Sequence, residues 1–375
     1  MIESKKKSVC IIRSNPVNPD SRVEKEAWTL IDLGYDVNIL AWDRSNNSSI
    51  ECSSLQIMGK EIPITRLCYK ASFGEGLKNI IPYLKFQFAM RKWLRRNHFD
   101  VIHACDFDTA FFSQGVVSKK SKFVFDIFDF ICGEPKSFLQ HCVKSAQLKI
   151  INKSDATILC TEEREQQISG SHPKKLVFIH NTPIAEMINV NNFVVNKSDK
   201  IKIVYVGILQ DFRLLKEITN CIVKDDRFEF HIGGFGKYEN FFVDMAQKYN
   251  NITFYGKLSY DQTLSLESQC DIMLAVYDPS IENHRFAAPN KFYESLMLGK
   301  PVVMVRGTGM AAIVEKQDLG VLIDYSEEGF SIGLTKLLER RNEWQNMCSR
   351  AQLIYKEKYN WNEMRNRLKD LYESL

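Results

Sequence analysis

The sequence has no Cys-x-x-Cys pair, no apolar run long enough to cross a bilayer, and no glycine-rich turn after its first predicted strand. Each absence removes a class of protein. Ten cysteines are present but stand singly, at positions such as 10, 52, 105, 160 and 348. That spacing argues against zinc and against a disulfide framework, and fits a reducing cytoplasm. A bilayer-spanning helix needs about 20 consecutive apolar residues, and no segment offers them. The opening Met1-Ile-Glu-Ser-Lys-Lys-Lys runs into a short strand rather than the apolar core of a secretory leader, so a cytoplasmic protein is expected. Charge of one sign is scarce as well. The 50 Lys and Arg against 46 Asp and Glu leave a net +4, with no nucleic-acid-binding motif, which argues against nucleic acid as a partner.

With 375 residues, 45% hydrophobic and 26% charged, the chain reads as globular and too long for one core. Two domains of roughly 150–200 residues are expected. Residues 8–12 predict a buried strand, 20–34 a helix with Val23, Ala27, Leu30 and Ile31 on one face, and 35–41 a second strand. Strand, helix, strand at this length is a βαβ unit and implies a parallel sheet. The loop between, from Asn15 to Arg22, contains no glycine, so a dehydrogenase loses the Gly-x-Gly-x-x-Gly that would cradle its cofactor. The same rhythm restarts at 201–206 after a polar stretch, 189–200, that reads as a linker.

Residues 288–305 show the sharpest local pattern. Pro289 suits a first helical turn, Gly299 a helix end, and Pro301 prevents continuation before the buried strand Val302-Val-Met-Val305. The amides of Asn290, Lys291 and Phe292 at the helix start predict an anion site. Glu294, one turn on and on the same face as Asn290, is placed to accept from two sugar hydroxyls. A phosphate with a ribose beside it fits this arrangement. Elsewhere, 76–97 combines Leu77, Ile80, Ile81, Phe88 and Trp93 with Lys78, Lys85, Arg91, Lys92, Arg95 and Arg96. The mixture suits a helix lying on an anionic membrane, and equally a core-packing helix with a solvated polar face. His103, in Phe99-Asp-Val-Ile-His-Ala-Cys-Asp106, reads as a strand-end residue where open α/β sheets place ligand contacts. Asp106-Phe-Asp108 is formally a DxD, read here as an acceptor-side loop or helix cap without metal. Asp126, at the end of another predicted strand, is placed to orient an acceptor hydroxyl.

Pro-Asn-Lys-Phe-Tyr-Glu-Ser-Leu-Met-Leu-Gly-Lys-Pro-Val-Val (289–303), followed by Gly307-Thr-Gly-Met and Val314-Glu-Lys-Gln-Asp-Leu-Gly320, resembles the nucleotide-sugar motif of family 4 glycosyltransferases (glycosyl transferases group 1, bacterial polysaccharide-biosynthesis type). The resemblance implies an α/β GT-B fold, two Rossmann-like doubly wound parallel-sheet domains facing across a cleft. The acceptor domain would span 1–188, the linker 189–200, the donor domain 201–358, and a helix at 359–375 would cross back. It also implies site residues. Gly207 and Gly234 would let backbone approach a diphosphate that Arg213 and Lys216 neutralise, and Gly256 with Leu258 would read the base. Asn290, Lys291 and Glu294 would hold phosphate and ribose, and His103 the donor sugar. Asp20, Arg22, Asp106 and Asp126 would face the acceptor. Two positions depart from the family: Leu214 stands where it has glycine, and Phe286 where it has its first glutamate.

The expected activity is therefore transfer of a sugar from a nucleotide-diphosphate sugar to a hydroxyl of a glycan or lipid-linked acceptor. It would be retaining, metal-independent and without cofactor, in a cytoplasmic protein with membrane contact through 76–97. A nucleotide-sugar epimerase of the same fold, or a non-catalytic relative that binds glycan or nucleotide, is the alternative.

Overall fold

The computed structural model describes residues 6–72, 76–185, 195 and 198–375. The chain forms two compact units, Met1–His180 with Met364–Leu375, and Asn181–Glu363. Of the expected linker, 189–194 and 196–197 lie outside the described residues, as do 1–5 of the N-terminal stretch.

The first unit is an eight-stranded sheet: β1 (Ser8–Arg13), β2 (Asp36–Asp43), β3 (Ile50–Ile57), β4 (Lys60–Cys68), β5 (Val101–Cys105), β6 (Lys122–Ile127), β7 (Ala156–Leu159) and β8 (Leu176–Phe178). Its order is β3-β4-β2-β1-β5-β6-β7-β8, parallel except where β3 meets β4. The hairpin β3–β4 is absent from the sequence-based expectation. Met58 and Gly59 turn it with φ of 48° and 74°, the signature of a tight two-residue hairpin. β3 is almost wholly exposed, and its apolar residues Ile50, Cys52, Leu55 and Ile57 switch register midway, so no sustained apolar period marks it.

Helices α1 (Ser21–Asp32), α2 (Ile80–Arg96), α3 (Asp106–Ser113) and α4 (Phe138–Lys153) flank this sheet. α1 begins where the Asp20 carboxylate accepts from the Val23 N–H at 3.4 Å, satisfying one of the orphan amides of a first turn. Ser137 and Gln140 cap α4 reciprocally. Alternation along β5 and β6 assigns the two faces. Ile102, Ala104, Phe123 and Phe125 pack with Phe86, Met90 and Leu94 of α2, Ala110 of α3 and Ile150 of α4. His103, Cys105 and Asp126 therefore point to the opposite face, toward α1 and the C-terminal helix Trp361–Glu373. Thr161 precedes a 3-10 turn, Glu162–Ile168, and makes no side-chain cap bond.

The second unit holds β9 (Ile201–Ile208), β10 (Phe228–Phe235), β11 (Ile252–Phe254), β12 (Ile272–Ala275), β13 (Val302–Val305) and β14 (Gly320–Ile323). Its order, β11-β10-β9-β12-β13-β14, is parallel throughout. Between them run α5 (Leu215–Ile222), α6 (Glu239–Lys248), α7 (Tyr260–Ser268), α8 (Asn290–Leu298), α9 (Ala311–Gln317), α10 (Glu327–Glu339) and α11 (Trp344–Glu357). One face buries Ile203, Ile218, Phe230, Phe242 and Phe330; the other buries Leu264, Phe292, Leu296, Met304 and Tyr355. Cover on both faces is why these strands read as unbroken apolar runs. Gly299 ends α8 at φ 62°, a conformation glycine adopts without the penalty a Cβ carries.

Candidate functional site

In the second unit the carboxyl ends of the central strands are built from glycine. Gly207 of β9 pairs in register with Gly234 of β10, and the Gly234 N–H donates to the Gly256 carbonyl at 2.7 Å. A Cβ on Gly234, whose φ is 136°, would lie 1.8 Å from the Gly207 oxygen, so no side chain fits there. Leu258 closes over Gly233, where a Cβ would meet its Cδ1 at 2.8 Å. The three expected glycines thus meet at one edge, and Leu258 borders them.

Over Gly207 lies the side chain of Lys291, reaching back from the start of α8. Its Nζ is 4.7 Å from the Tyr205 ring centroid, and a Cβ on Gly207 would meet that Nζ at 2.7 Å. Desolvation alone lowers the lysine pKa, but Tyr205, Tyr277, Glu294 and Glu267 outweigh it and hold the ammonium above its ordinary value. The sequence reading used only the Lys291 amide; nothing local announces where its four-carbon stem points. Gly207→Ala should push the ammonium aside without disturbing the core. Loss of one charge-assisted contact, about 1.5–3 kcal/mol, predicts roughly ten- to hundredfold weaker nucleoside-diphosphate binding by calorimetry, with an unchanged melting temperature.

Arg213 follows in the loop after β9. Its guanidinium lies 4.1 Å from the Tyr277 ring centroid and donates to the Phe212 carbonyl at 3.1 Å. It also meets His284 Nε2 at 3.2 Å. Because His284 Nδ1 is 2.8 Å from the Asp278 carbonyl, that nitrogen carries the proton and Nε2 accepts from Arg213. His284 belongs to the 3-10 turn Glu282–Phe286 and was missed by the sequence reading, which looked only for a carboxylate there. Phe286 offers no acceptor in the same turn. Leu214 adopts φ 53°, so the backbone keeps the left-handed shape that a glycine would take, and leucine bears the steric cost. Lys216 lies over the Tyr238 ring at 4.4 Å and Phe241 at 5.5 Å.

At the start of α8, Pro289 takes the cap position. Contrary to the expectation of three free amides, the Phe292 N–H donates to the Pro289 carbonyl at 2.9 Å. A 3-10 first turn consumes it, which leaves Asn290 and Lys291. The Asn290 side chain accepts from Asn181 Nδ2 at 3.0 Å. Glu294 is only 4% exposed and lies against Tyr260, whose hydroxyl its carboxylate holds well above the usual range once burial has raised it. Glu267 of α7 is buried beside it and raised by desolvation and then by Glu294.

In the first unit the expected acceptor residues separate into two groups. Arg13 pairs with Asp20 at 3.0 Å and with Asp106. Asp106, at φ 67°, also accepts from the Phe128 and Asp129 N–H groups at 2.9 and 3.1 Å. It therefore ties the loop after β6 instead of capping its own helix. Burial pushes the Asp106 carboxyl up to about 6, against the pull of Arg13. An acid raised on folding keeps its proton longer in the native state, so its contribution is full at low pH and is lost as pH rises through the window from about 4 to about 6. The stability difference between wild type and Asp106→Asn should accordingly change by up to about 1.4 kcal/mol per pH unit across that window in urea unfolding. A pH-independent difference would contradict the assignment.

The second group is sealed. Arg22 donates to Asp126 at 2.7 Å and to the Ile179 carbonyl at 2.6 Å. His103 presents Nε2 to Asp126 at 3.2 Å and Nδ1 to the Tyr372 hydroxyl at 2.7 Å. His103 and Asp126 have no exposed surface and Arg22 is 4% exposed. This corrects the expectation that His103 reaches a sugar and that Asp126 and Arg22 face an acceptor. β5 continues two residues beyond His103, whose side chain faces α1, and Tyr372 arrives from the C-terminal helix to cover it. His103, Cys105 and Asp126 bring donor atoms within 4.8 Å of one another, but both ring nitrogens of His103 and both oxygens of Asp126 already have partners in Tyr372, Arg22 and each other. Asp43, Glu51 and Cys68 form the other such group among the described residues, and Arg66 reaches Glu51 at 3.6 Å.

Residues 200–340 match the family described as glycosyl transferases group 1. No curated protein sequence matches the chain. Among solved structures, sucrose-phosphate synthase from Thermosynechococcus elongatus superposes with a TM-score of 0.75 at 12% identity, covering 98% of this chain and 99% of that one. HepE from Anabaena, in complex with UDP and glucose, gives 0.70 at 12%, covering 98% and 100%. TarM from S. aureus, in complex with fondaparinux, alpha-GlcNAc-glycerol and UDP, gives 0.65 at 11%, covering 98% and 99%. The fold is GT-B, and the match to the group 1 glycosyl transferases falls within the second unit.

Proposed function

We propose that the chain is a glycosyltransferase that moves a sugar from a nucleotide-diphosphate donor to a hydroxyl of a glycan or lipid-linked acceptor. The observation that carries this reading is the Lys291 ammonium poised over the bare backbone of Gly207, with Arg213 in the loop that follows. As the glycosidic bond breaks, charge grows on the departing diphosphate. A preorganised ammonium and guanidinium stabilise that charge where it develops, the role a divalent cation has in other transferases. Lys291 and Arg213 both lie near enough to Tyr205 to act on its hydroxyl, and Lys216, expected beside Arg213, would add a third cation from the start of α5. The unused Asn290 and Lys291 amides add dipoles of the right sign, and Glu294 binds the ribose once Tyr260 yields its hydrogen bond.

Binding of UDP in the HepE and TarM structures makes a uridine nucleotide the first donor to test. Family resemblance supports retention of configuration, independence of metal and a place in polysaccharide assembly. It also supports a cytoplasmic location with the 76–97 segment on the membrane. Incubation with a panel of UDP-sugars, with and without lipid-linked acceptor, tests the reading: release of UDP together with a glycosylated acceptor is expected. Isomerised donor without transfer would favour an epimerase. Binding without turnover would favour a non-catalytic relative, for which Phe286 in place of an acid is the motivating feature.

A further inference from the structure

We propose that Glu267, on the last turn of α7, is a positioning residue for the donor: its neutral carboxyl group donates a hydrogen bond that holds Glu294 against the ribose hydroxyls. The role rests on the donor reading above and falls to a buried acid which that reading leaves unused. α7 and α8 pack together through Leu264, which is buried with Phe292, Tyr293 and Leu296. Tyr260, Leu264 and Glu267 fall at i, i+4 and i+7, so one stripe of α7 carries all three. Lys291 and Glu294 fall at i and i+3 of α8 and share a face. Tyr260 and Glu267 therefore flank Leu264 and lie against the two charged residues of α8.

That contact is dry. Glu267 is 1% exposed, and its Oε2 has no hydrogen-bond partner among the described residues. A buried carboxyl oxygen with nothing to bond is costly, and folded proteins keep few of them without a use. Glu294 accepts from the Tyr260 hydroxyl, and Lys291 offers one positive charge to two acids. Burial, and then the Glu294 carboxylate, raise Glu267 well above its ordinary range against the pull of Lys291. The proton therefore stays on Glu267 and the negative charge on Glu294. α7 thus brings two O–H donors to Glu294, the phenol of Tyr260 and the acid of Glu267.

A carboxylate that accepts from a ribose diol needs its oxygens aimed and its charge kept. When the ribose takes the place of the Tyr260 hydroxyl, Glu294 loses the bond that fixes it. Glu267 supplies another from the buried side, and its proton is shared in the bond without being transferred. An ionised Glu267 could not do this, because it would repel Glu294 and add negative charge beside the diphosphate.

Calorimetry with UDP, GDP and ADP, each against its 2′,3′-dideoxy form, tests the role through the ribose hydroxyls. Wild type should bind the best of the three at least about tenfold tighter than its dideoxy form, the effect of leaving a buried acceptor unpaired. In Glu267→Leu that ratio should fall below about threefold, with binding of the dideoxy form unchanged. Glu267→Gln, whose amide still donates, should retain the wild-type ratio. In turnover, the loss in Glu267→Leu should fall on KM rather than on kcat, because the ribose takes no part in the bond change. Leucine replaces an unpaired buried acid, so the melting temperature should not drop. An undiminished ratio in Glu267→Leu, equal weakening of both nucleotide forms, or a Glu267→Gln that behaves like Glu267→Leu would overturn the proposal. Failure of wild type to bind any of the three diphosphates would remove the transfer reading as well, whereas intact binding with an undiminished ratio in Glu267→Leu removes the positioning role alone.

Discussion

Asp126→Ala should lower the unfolding free energy of the first unit by about 3–5 kcal/mol, because it strands a buried guanidinium. Asp126 accepts from Arg22 at 2.7 Å and faces His103 Nε2 at 3.2 Å, with Glu26 also against Arg22 at 3.1 Å. One guanidinium cannot neutralise two carboxylates without water. Burial, and then repulsion from Asp126, push Glu26 well above its ordinary range despite Arg22. Asp126 is held below its ordinary range, since Arg22 and His103 overcome its desolvation. The proton therefore sits on Glu26 and the charge on Asp126. From that assignment Glu26→Gln should cost less than about 1 kcal/mol, since an amide replaces a neutral acid of the same shape. Asp126→Asn should behave like Asp126→Ala. Chemical denaturation of the three variants checks the pattern, and equal costs at both positions would contradict it.

Arg213→Ala and Lys291→Ala should each reduce kcat/KM for glycosyl transfer by about 10²–10³, the usual effect of removing one preorganised partner of developing charge. Arg213 is positioned by Tyr277 and by His284, whose own orientation is set through the Asp278 carbonyl. His284→Ala should therefore cost less than Arg213→Ala and act through the same step. Lys291→Arg should fail to restore activity, because a planar fork does not fit where a point charge passes 2.7 Å from the Cβ position of Gly207. Steady-state kinetics separate these outcomes. Losses under tenfold for both Arg213→Ala and Lys291→Ala would remove the proposed role.

What was legible in the sequence is what depends on neighbours along the chain. The α8 helix with its Pro289 start and Gly299 stop and the buried β13 follow from local rules of helix ends and strand patterning, while the glycines ending β9 and β10 were marked by the family resemblance. The positive φ at Leu214 shows a backbone shape persisting without the residue that usually signals it. What was not legible depends on partners far away. Tyr372 reaches His103 across 269 positions and turns an apparent ligand into a core residue. The Lys291 side chain reaches β9 from α8 by a choice of rotamer that no spacing encodes. The hairpin β3–β4 escaped because its outer strand is exposed and carries no sustained apolar alternation.

A crystal of the protein soaked with UDP tests the central claim most directly. The diphosphate should lie within hydrogen-bond reach of Lys291 Nζ and of the Asn290 and Lys291 amides, close to Gly207 and the Arg213 guanidinium. A diphosphate bound elsewhere, or none at all where calorimetry also finds no binding, would contradict it.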